Sequence, residues 1–237
     1  MDNNEYCGLL VNGRPLSDFG GKMLLDYSVG ETSIDNSVFQ GVNRTNWHLL
    51  KSIFGRRSIT MTIIFTGETV HEAKLLRSMF NGEIFGKTDL FIHDDGFFYS
   101  VTCDSMGPEV IEGIGEKTAS IKSTYKFTGI RHGELQRDII PAGGGTILCR
   151  STMPFTDAKL TVTVGATASY YNFGGASFGP VTAGDVLVFD GIEGKITKNG
   201  SNYAASTWWT DFPRLTPGEN ALDALDAITV EYYPAYI

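Results

Sequence analysis

The chain has no cysteine pair, few prolines, no long apolar run and no surplus of basic residues, and each shortage removes a class of function. Its three cysteines, Cys7, Cys103 and Cys149, are odd in number and far apart. No Cys-x-x-Cys spacing is present to hold zinc or run thiol–disulfide exchange, so they read as reduced, buried apolar residues of a protein made in a cytoplasm. Nineteen Lys and Arg stand against 27 Asp and Glu, a formal net charge of -8. Gripping nucleic acid needs clustered Lys and Arg, so this balance argues against it. The nearest thing to a basic patch, Arg56-Arg57, reads as a solvated loop. No apolar run reaches the length that spans a bilayer. The opening Met1-Asp2-Asn3-Asn4-Glu5 has neither the positive region nor the apolar core of a signal peptide.

Glycine is abundant, at 28 residues against 8 prolines. Spread among short apolar runs it implies many turns between many strands, and hence a mainly β protein. Leu9-Leu10-Val11 leads through Asn12-Gly13 into Arg14-Pro15-Leu16, a strand and a turn. From Ser58 to Phe65 the apolar residues Ile59, Met61, Ile63 and Phe65 alternate with Ser58, Thr60 and Thr62, as in a strand with one buried face. The period then becomes helical, with Val70, Ala73, Leu76 and Phe80 on one stripe. Thr69 and Glu72 form a capping box, and Asn81-Gly82 is the expected stop. Asp94-Asp95-Gly96 joins Asp89–His93 to Phe97–Cys103 as a hairpin, and Ser120–Phe127 is a further strand.

Composition shifts between Gly129 and Gly145, where charged residues precede Pro141-Ala142-Gly143-Gly144-Gly145, and the domain boundary is expected there, dividing 1–137 from 138–237. Beyond it only strands are expected, over 146–149, 160–164, 168–173, 186–189, 195–198 and 228–233, the spacing of a sandwich. Asp190-Gly191 and Asn199-Gly200 are expected to supply positive φ angles to tight turns, and Pro213 and Pro217 to fix a corner between Phe212 and Asn220.

Three patterns look chemical. Gly175-Ala176-Ser177-Phe178-Gly179 matches a nucleophile elbow, but Pro180-Val181-Thr182 reads as a turn where a helix should follow, and no histidine lies downstream of His132. His93-Asp94-Asp95 offers metal-ligand types, yet neighbours at a hairpin tip point apart and His48, His71 and His132 show no ligand spacing. Gly20-Gly21-Lys22 lacks the spacing of a phosphate loop. No catalytic, cofactor-binding or metal-binding residue is therefore assigned, and the chain is not expected to be an enzyme. The candidates that remain are aromatic: Trp208, Trp209, Tyr170 and Tyr171, whose ring faces can stack on a ligand such as a sugar. Adjacent residues on a strand face opposite ways, so one member of each pair is expected to be buried. That reading makes the chain a carbohydrate-binding or receptor-binding module.

The order of these blocks resembles the distal tail proteins of long-tailed bacteriophages across nearly the whole chain. The resemblance is carried by the opening Leu10-Val11-Asn12-Gly13-Arg14-Pro15-Leu16-Ser17-Asp18-Phe19-Gly20, by Cys149-Arg150-Ser151-Thr152-Met153-Pro154-Phe155 after the boundary, by Phe212-Pro213-Arg214-Leu215-Thr216-Pro217-Gly218-Glu219-Asn220, and by the closing Ile228-Thr229-Val230-Glu231-Tyr232-Tyr233-Pro234. It implies a tail-tube-like split β-barrel or sandwich with one helix over 1–137, and a galectin-like β-sandwich over 138–237. It also implies a structural protein of the virion tail tip, synthesised in the bacterial host, whose N-terminal domains close into a homo-hexameric ring that continues the tail tube. The implied partners are the tail tube protein, the tape measure protein, the tail-associated hub or lysin protein and a receptor-binding protein; the chain's acidic balance suits a ring whose lumen passes DNA, since a basic wall would trap it. Cross-subunit pairing is expected from the Ser58–Phe65 strand or the Asp89–Cys103 hairpin.

Overall fold

The computed structural model describes residues 8–23, 27–40, 42, 45, 47–114 and 118–237. Contacts divide the chain into two compact units, residues 1–132 with Ile237, and residues 133–236. The division falls inside the interval read as a boundary, but that interval is largely strand rather than linker.

The first unit contains β1 (Leu9–Val11), β2 (Arg14–Pro15), β3 (Gly21–Met23), β4 (Ser28–Val29), β5 (Ile34–Gln40), β6 (Trp47–Phe54), β7 (Arg57–Gly67), α1 (Val70–Glu83), β8 (Lys87–Ile92), β9 (Phe97–Met106), β10 (Val110–Ile114) and β11 (Ala119–His132). One antiparallel sheet runs in the order β2-β1-β8-β9-β11-β7-β3, with β10 added to β11 and β4 to β7. Alternation explains the layering. Ile59, Met61, Ile63 and Phe65 of β7 are fully buried, while Ser58, Thr60, Ile64 and Thr66 on the other face are not. The partner strand β11 repeats the pattern in register, with buried Tyr125 beside Met61 and buried Phe127 beside Ile59.

Helix α1 covers the apolar face. Thr69 caps it, Oγ1 accepting from the backbone N–H of Glu72 at 3.1 Å. The Glu72 carboxylate reaches back to the N–H of Glu68 at 2.7 Å, closing a variant of the capping box. Phe80 sits within ring contact of Phe19 (5.8 Å), Phe65 (5.4 Å) and Tyr125 (5.1 Å), two of the three edge to face. The expected stop at Asn81-Gly82 is displaced. The helix continues to Glu83 and buries Ile84, and Asn81 Oδ1 instead accepts the phenolic hydrogen of Tyr125 at 2.9 Å. The left-handed backbone needed to turn the chain comes later, at Gly86 with φ 98°.

The opening motif is a set of turns packed under this helix. Asn12 and Gly13 take positive φ, 51° and 78°, joining β1 to β2, and Gly20 at 60° ends a 3-10 turn that buries Leu16 and Phe19. Asn12 Oδ1 accepts from the N–H of Asp89 and its Nδ2 donates to the Glu83 carboxylate, both at 2.9 Å.

Two observations depart from the sequence reading. Ile34–Gln40 and Trp47–Phe54, for which the sequence suggests no element, pair as the hairpin β5–β6, a two-stranded sheet of its own. And Arg57, read as solvated, is 5% exposed because its guanidinium donates to the carbonyl of Gly30 at 3.0 Å and pairs with Glu31 at 3.7 Å, holding the base of that hairpin. Arg56 is exposed as expected.

The second unit is a sandwich of antiparallel layers: β12 (Gln136–Ile140), β13 (Gly145–Cys149), β14 (Thr156–Thr163), β15 (Tyr171–Phe173), β16 (Ala176–Phe178), β17 (Val186–Asp190), β18 (Lys195–Lys198), β19 (Ser201–Asn202), β20 (Thr207–Trp209), β21 (Arg214–Leu215), β22 (Gly218–Leu222) and β23 (Ile228–Tyr232). One sheet runs β12-β23-β14-β17-β18-β19, a second β15-β16-β20, and β13 pairs with β22. Leu160, Val162, Leu187, Phe189, Ile228 and Val230 of the first meet Tyr171, Phe173 and Phe178 of the second in one core, which also takes in Cys149. Cys103 and Cys149 are both free thiols, Cys149 buried as expected but Cys103 only half-buried; Cys7 lies outside the described residues. The expected strand over 168–173 shortens to Tyr171–Phe173, with Ala168 making a single bridge to Val181.

Of the two turns, Asn199-Gly200 has the expected positive φ angles, 51° and 78°. Asp190-Gly191 does not. The Asp190 carboxylate accepts from the N–H groups of Ile192 and Glu193 at 2.9 and 3.0 Å, and the left-handed residue is Gly194 at 64°. The corner after Phe212 is stapled by Asn220, whose Oδ1 accepts from the Thr216 N–H at 2.8 Å while its Nδ2 donates to the carbonyls of Thr216 and Gly218 at 2.7 and 3.0 Å.

Two stability predictions follow from these contacts. Phe80→Ala removes the ring on which three aromatics converge and is expected to cost about 3–5 kcal/mol in urea unfolding. Tyr171 donates to the Asp226 carboxylate at 2.8 Å, and burial, reinforced by that bond, pushes its phenol up to about 12. The folded value lies above the unfolded one near 10, so this contribution is complete below about pH 10 and is lost as pH rises toward 12. Tyr171→Phe should therefore cost about 1 kcal/mol at pH 8. Its deficit against the parent protein should shrink as denaturant unfolding is repeated at rising alkaline pH, and a deficit that grows would contradict this account.

Candidate functional site

The four aromatic candidates lie around one end of the three-stranded sheet and are separated by its pleat. Cross-strand register places Asn172, Ser177 and Trp208 in one row and Phe173, Ala176 and Trp209 in the next. Tyr171 is 3% exposed, a core residue held by Asp226, whereas Tyr170 is 60% exposed. The tyrosine pair thus divides as the alternation implies. The tryptophan pair does not: Trp208 is 62% and Trp209 38% exposed. Strand β20 is the edge of its sheet, and the Trp209 ring rests at 6.1 Å from Phe212, which lies 5.4 Å from core Phe189. Trp209 is a propped wall, and the Trp208 ring faces Tyr170, 5.7 Å away and inclined by 57°.

A groove of about 640 Å³ opens here, lined by Asn172, Ser177, Trp208, Trp209, Thr210 and Asp223 among others. It adjoins a second of about 520 Å³ that follows the stapled corner from Asp211 to Thr216, the two sharing Gly174, Gly175, Thr210 and Leu222. Gly174 turns the chain with φ 58°, and a Cβ there would meet Leu160 Cδ1 at 2.3 Å, so the floor of the groove demands glycine. Sequence reasoning found the aromatics but not Asn172 and Asp223, which are ordinary polar residues until the register and the 221–223 segment bring them to the groove.

The other chemical-looking patterns have structural places. Ser177 lies in the middle of β16, paired to Asn172 and Trp208, rather than on a strand-to-helix turn. Asp95 is engaged by the Tyr99 hydroxyl, and the His93 ring packs edge-on to Phe91. Among the described residues no group of three or more His, Cys, Asp or Glu side chains is arranged to hold a metal ion, and no helix is long and apolar enough to cross a membrane.

In the first unit the distinctive surface is the β5–β6 hairpin. Ile34, Val38 and Leu49 lie on one face with 51%, 55% and 53% exposure, Val38 directly opposite Leu49. Phe39 and Ile53 occupy the other face, at 57% and 46% exposure. A register shift beyond Ser37 throws out Leu50. Among the described residues the two strands pair only with each other, leaving each with a free edge. The two segments read as cross-subunit strands are, by contrast, interior: β7 is paired to β11 on one side and to β3 and β4 on the other, and β8 and β9 lie between β1 and β11.

Comparison with known proteins places this architecture. Residues 155–236 match the family model of the siphovirus-type tail component, C-terminal domain. The crystal structure of SPP1 Dit (gp 19.1), described as a paradigm of hub adsorption apparatus in phages infecting Gram-positive bacteria, is similar over 97% of this chain and 99% of that one, with TM-score 0.67 and 13% identity. A chain of the phage P2 baseplate in its activated conformation with Ca is similar over 93% and 92%, with TM-score 0.54 and 8% identity. The same baseplate with Sr gives 92% and 92%, with TM-score 0.51 and 10% identity. No curated protein matches the sequence. Residues 155–236 thus resemble the C-terminal domain of siphovirus-type tail components, and along its length the chain has the fold of SPP1 Dit.

Proposed function

We propose that this protein is a structural hub of a phage tail tip, closing into a hexameric ring that joins the tail tube to the host-adsorption apparatus. The observation that carries the reading is the end-to-end fold likeness to the SPP1 hub protein, joined to the family match in the second unit. In this reading the N-terminal domain, 1–137, builds the ring, and 138–237 is the appended sandwich. The partners are those of a tail tip: the tail tube, tape measure and tail-associated hub proteins, and a receptor-binding protein. The role is one of assembly and requires no catalytic residue.

The surface of the first unit supports self-association. A hairpin with half-exposed Ile34, Val38 and Leu49 on one face, Phe39 on the other and two open edges is an aggregation hazard on a monomer and an asset in a closed ring. Rotational symmetry covers the same patch on every copy and leaves none free. The net charge of -8 suits a ring through which DNA passes, because a basic wall would hold the phosphates.

Light scattering and negative-stain imaging of the purified full chain, alone and with its tail tube protein, test the proposal. Six-membered rings are expected. The double substitution Val38→Glu and Leu49→Glu buries two charges in the proposed contact and should weaken association by more than about a hundredfold while leaving the circular dichroism of the protomer unchanged. A protein that stays a single protomer in both preparations, or a double variant that assembles as well as the parent, would refute the ring or its hairpin contact respectively.

A further inference from the structure

We propose that the groove beside Trp208 is a binding site for an uncharged hexose oligosaccharide. The argument starts from an exposure that packing does not explain. Trp208 and Tyr170 leave 62% and 60% of their surface in water, side by side at 5.7 Å, and burying either ring against a ligand recovers apolar area at about 25 cal/mol per Å². The apolar C–H face of a pyranose ring fits a flat indole, and its hydroxyls then need partners around the rim. The row that carries Trp208 supplies them, with the amide of Asn172 and the hydroxyl of Ser177 in register across three strands. Asp223 also lines the groove and offers two acceptor oxygens to sugar hydroxyls.

Charge selects the class of sugar. The lining of this groove contains no Lys or Arg and one carboxylate, Asp223. A phosphate- or carboxylate-bearing polymer would meet repulsion and no counter-charge, so the occupant is neutral. The volume of about 640 Å³ falls in the range of small-ligand sites, roughly 300–1,000 Å³. The walls are preorganised: Trp209 is propped by Phe212 against the core, and in the Gly174-Gly175 turn, with φ of 58° and 83°, Gly174 packs close against Leu160. Little ordering cost is left to the binding step.

The test uses the full chain against an array of neutral gluco-, galacto- and N-acetylhexosamine oligosaccharides, with polyglycerol phosphate as the anionic comparison, followed by calorimetric titration of any sugar retained. Binding of a neutral oligosaccharide is expected, weakened about tenfold or more by Trp208→Ala. Trp208→Phe should keep most of the affinity, and Tyr170→Ala should fall between the two. Both Ala substitutions are at exposed rings and should leave unfolding midpoints unchanged. Absence of any neutral ligand at millimolar concentration, retention of the anionic polymer alone, or an affinity indifferent to Trp208→Ala each overturns the proposal. The readout concerns the protomer, so its failure leaves the ring untouched, and failure of the ring leaves this site to be tested as it stands.

Discussion

The first unit depends on a single aromatic contact, that of Phe80 with the sheet. One helix lies on the apolar face, and its inward stripe is short: Ala73 and Phe80 are buried, whereas Val70 and Leu76 are only half covered. Phe80 therefore ties the helix to three places at once, the opening turn through Phe19, strand β7 through Phe65 and strand β11 through Tyr125. The same few atoms also set polar positions, because Tyr125 is oriented by the Asn81 side chain one residue along the helix from Phe80. Moving the helix by a turn would break the ring cluster and this hydrogen bond together. Such coupling fixes one register of helix on sheet.

A sheet secured in this way can carry an extension that contributes nothing to its own core. The β5–β6 hairpin leaves the sheet beside Arg57, and its base is tied by backbone bonds from Gly30 to Ser58 and from Gly55 to Ser33, each 2.7 Å, besides the guanidinium contact with the Gly30 carbonyl. Burying an arginine is costly unless its donors are used. Here the cost serves to fix the direction of an arm whose apolar residues remain in water. A buried polar root under an arm of exposed apolar residues is the arrangement that the proposed ring contact would use.

What was legible in the sequence was local. Asn12-Gly13, Asn199-Gly200, the Thr69 cap and the alternation of Ile59 to Phe65 are decided within a few residues, and each stands where the sequence puts it. The misreadings arise where a distant partner decides. Asn81-Gly82 has the composition of a helix stop, but Tyr125, far along the chain, gives Asn81 another task. Asp190-Gly191 has the composition of a tight turn, but the Asp190 carboxylate binds the next two free N–H groups and moves the left-handed position to Gly194. Arg57 is buried where its guanidinium meets the carbonyl of Gly30, which no spacing connects to it. The β5–β6 hairpin escaped because neither strand has a buried face to impose a period of two, and its register shift breaks what alternation remains.

The candidate site divides along the same line. Aromatic pairs are visible in any sequence, yet which ring is wall, which is core and which is exposed depends on the neighbours each ring meets. Tyr171 and Trp209 both belong to outer strands of the three-stranded sheet, but Tyr171 is buried and tied to Asp226 while Trp209 reaches only as far as Phe212. The corner from Phe212 to Asn220 explains why that reach suffices. Asn220 closes the corner on itself through Thr216 and Gly218, Pro213 accepts from the Ala158 N–H at 2.9 Å, and Leu215 is buried, so Phe212 is held against Phe189 from behind. The Phe-Pro, Pro-Gly and Asn pattern in this stretch is thus framework with a specific consequence. It props the Trp209 ring through Phe212 on core Phe189, beside the exposed Trp208 that lines the same groove.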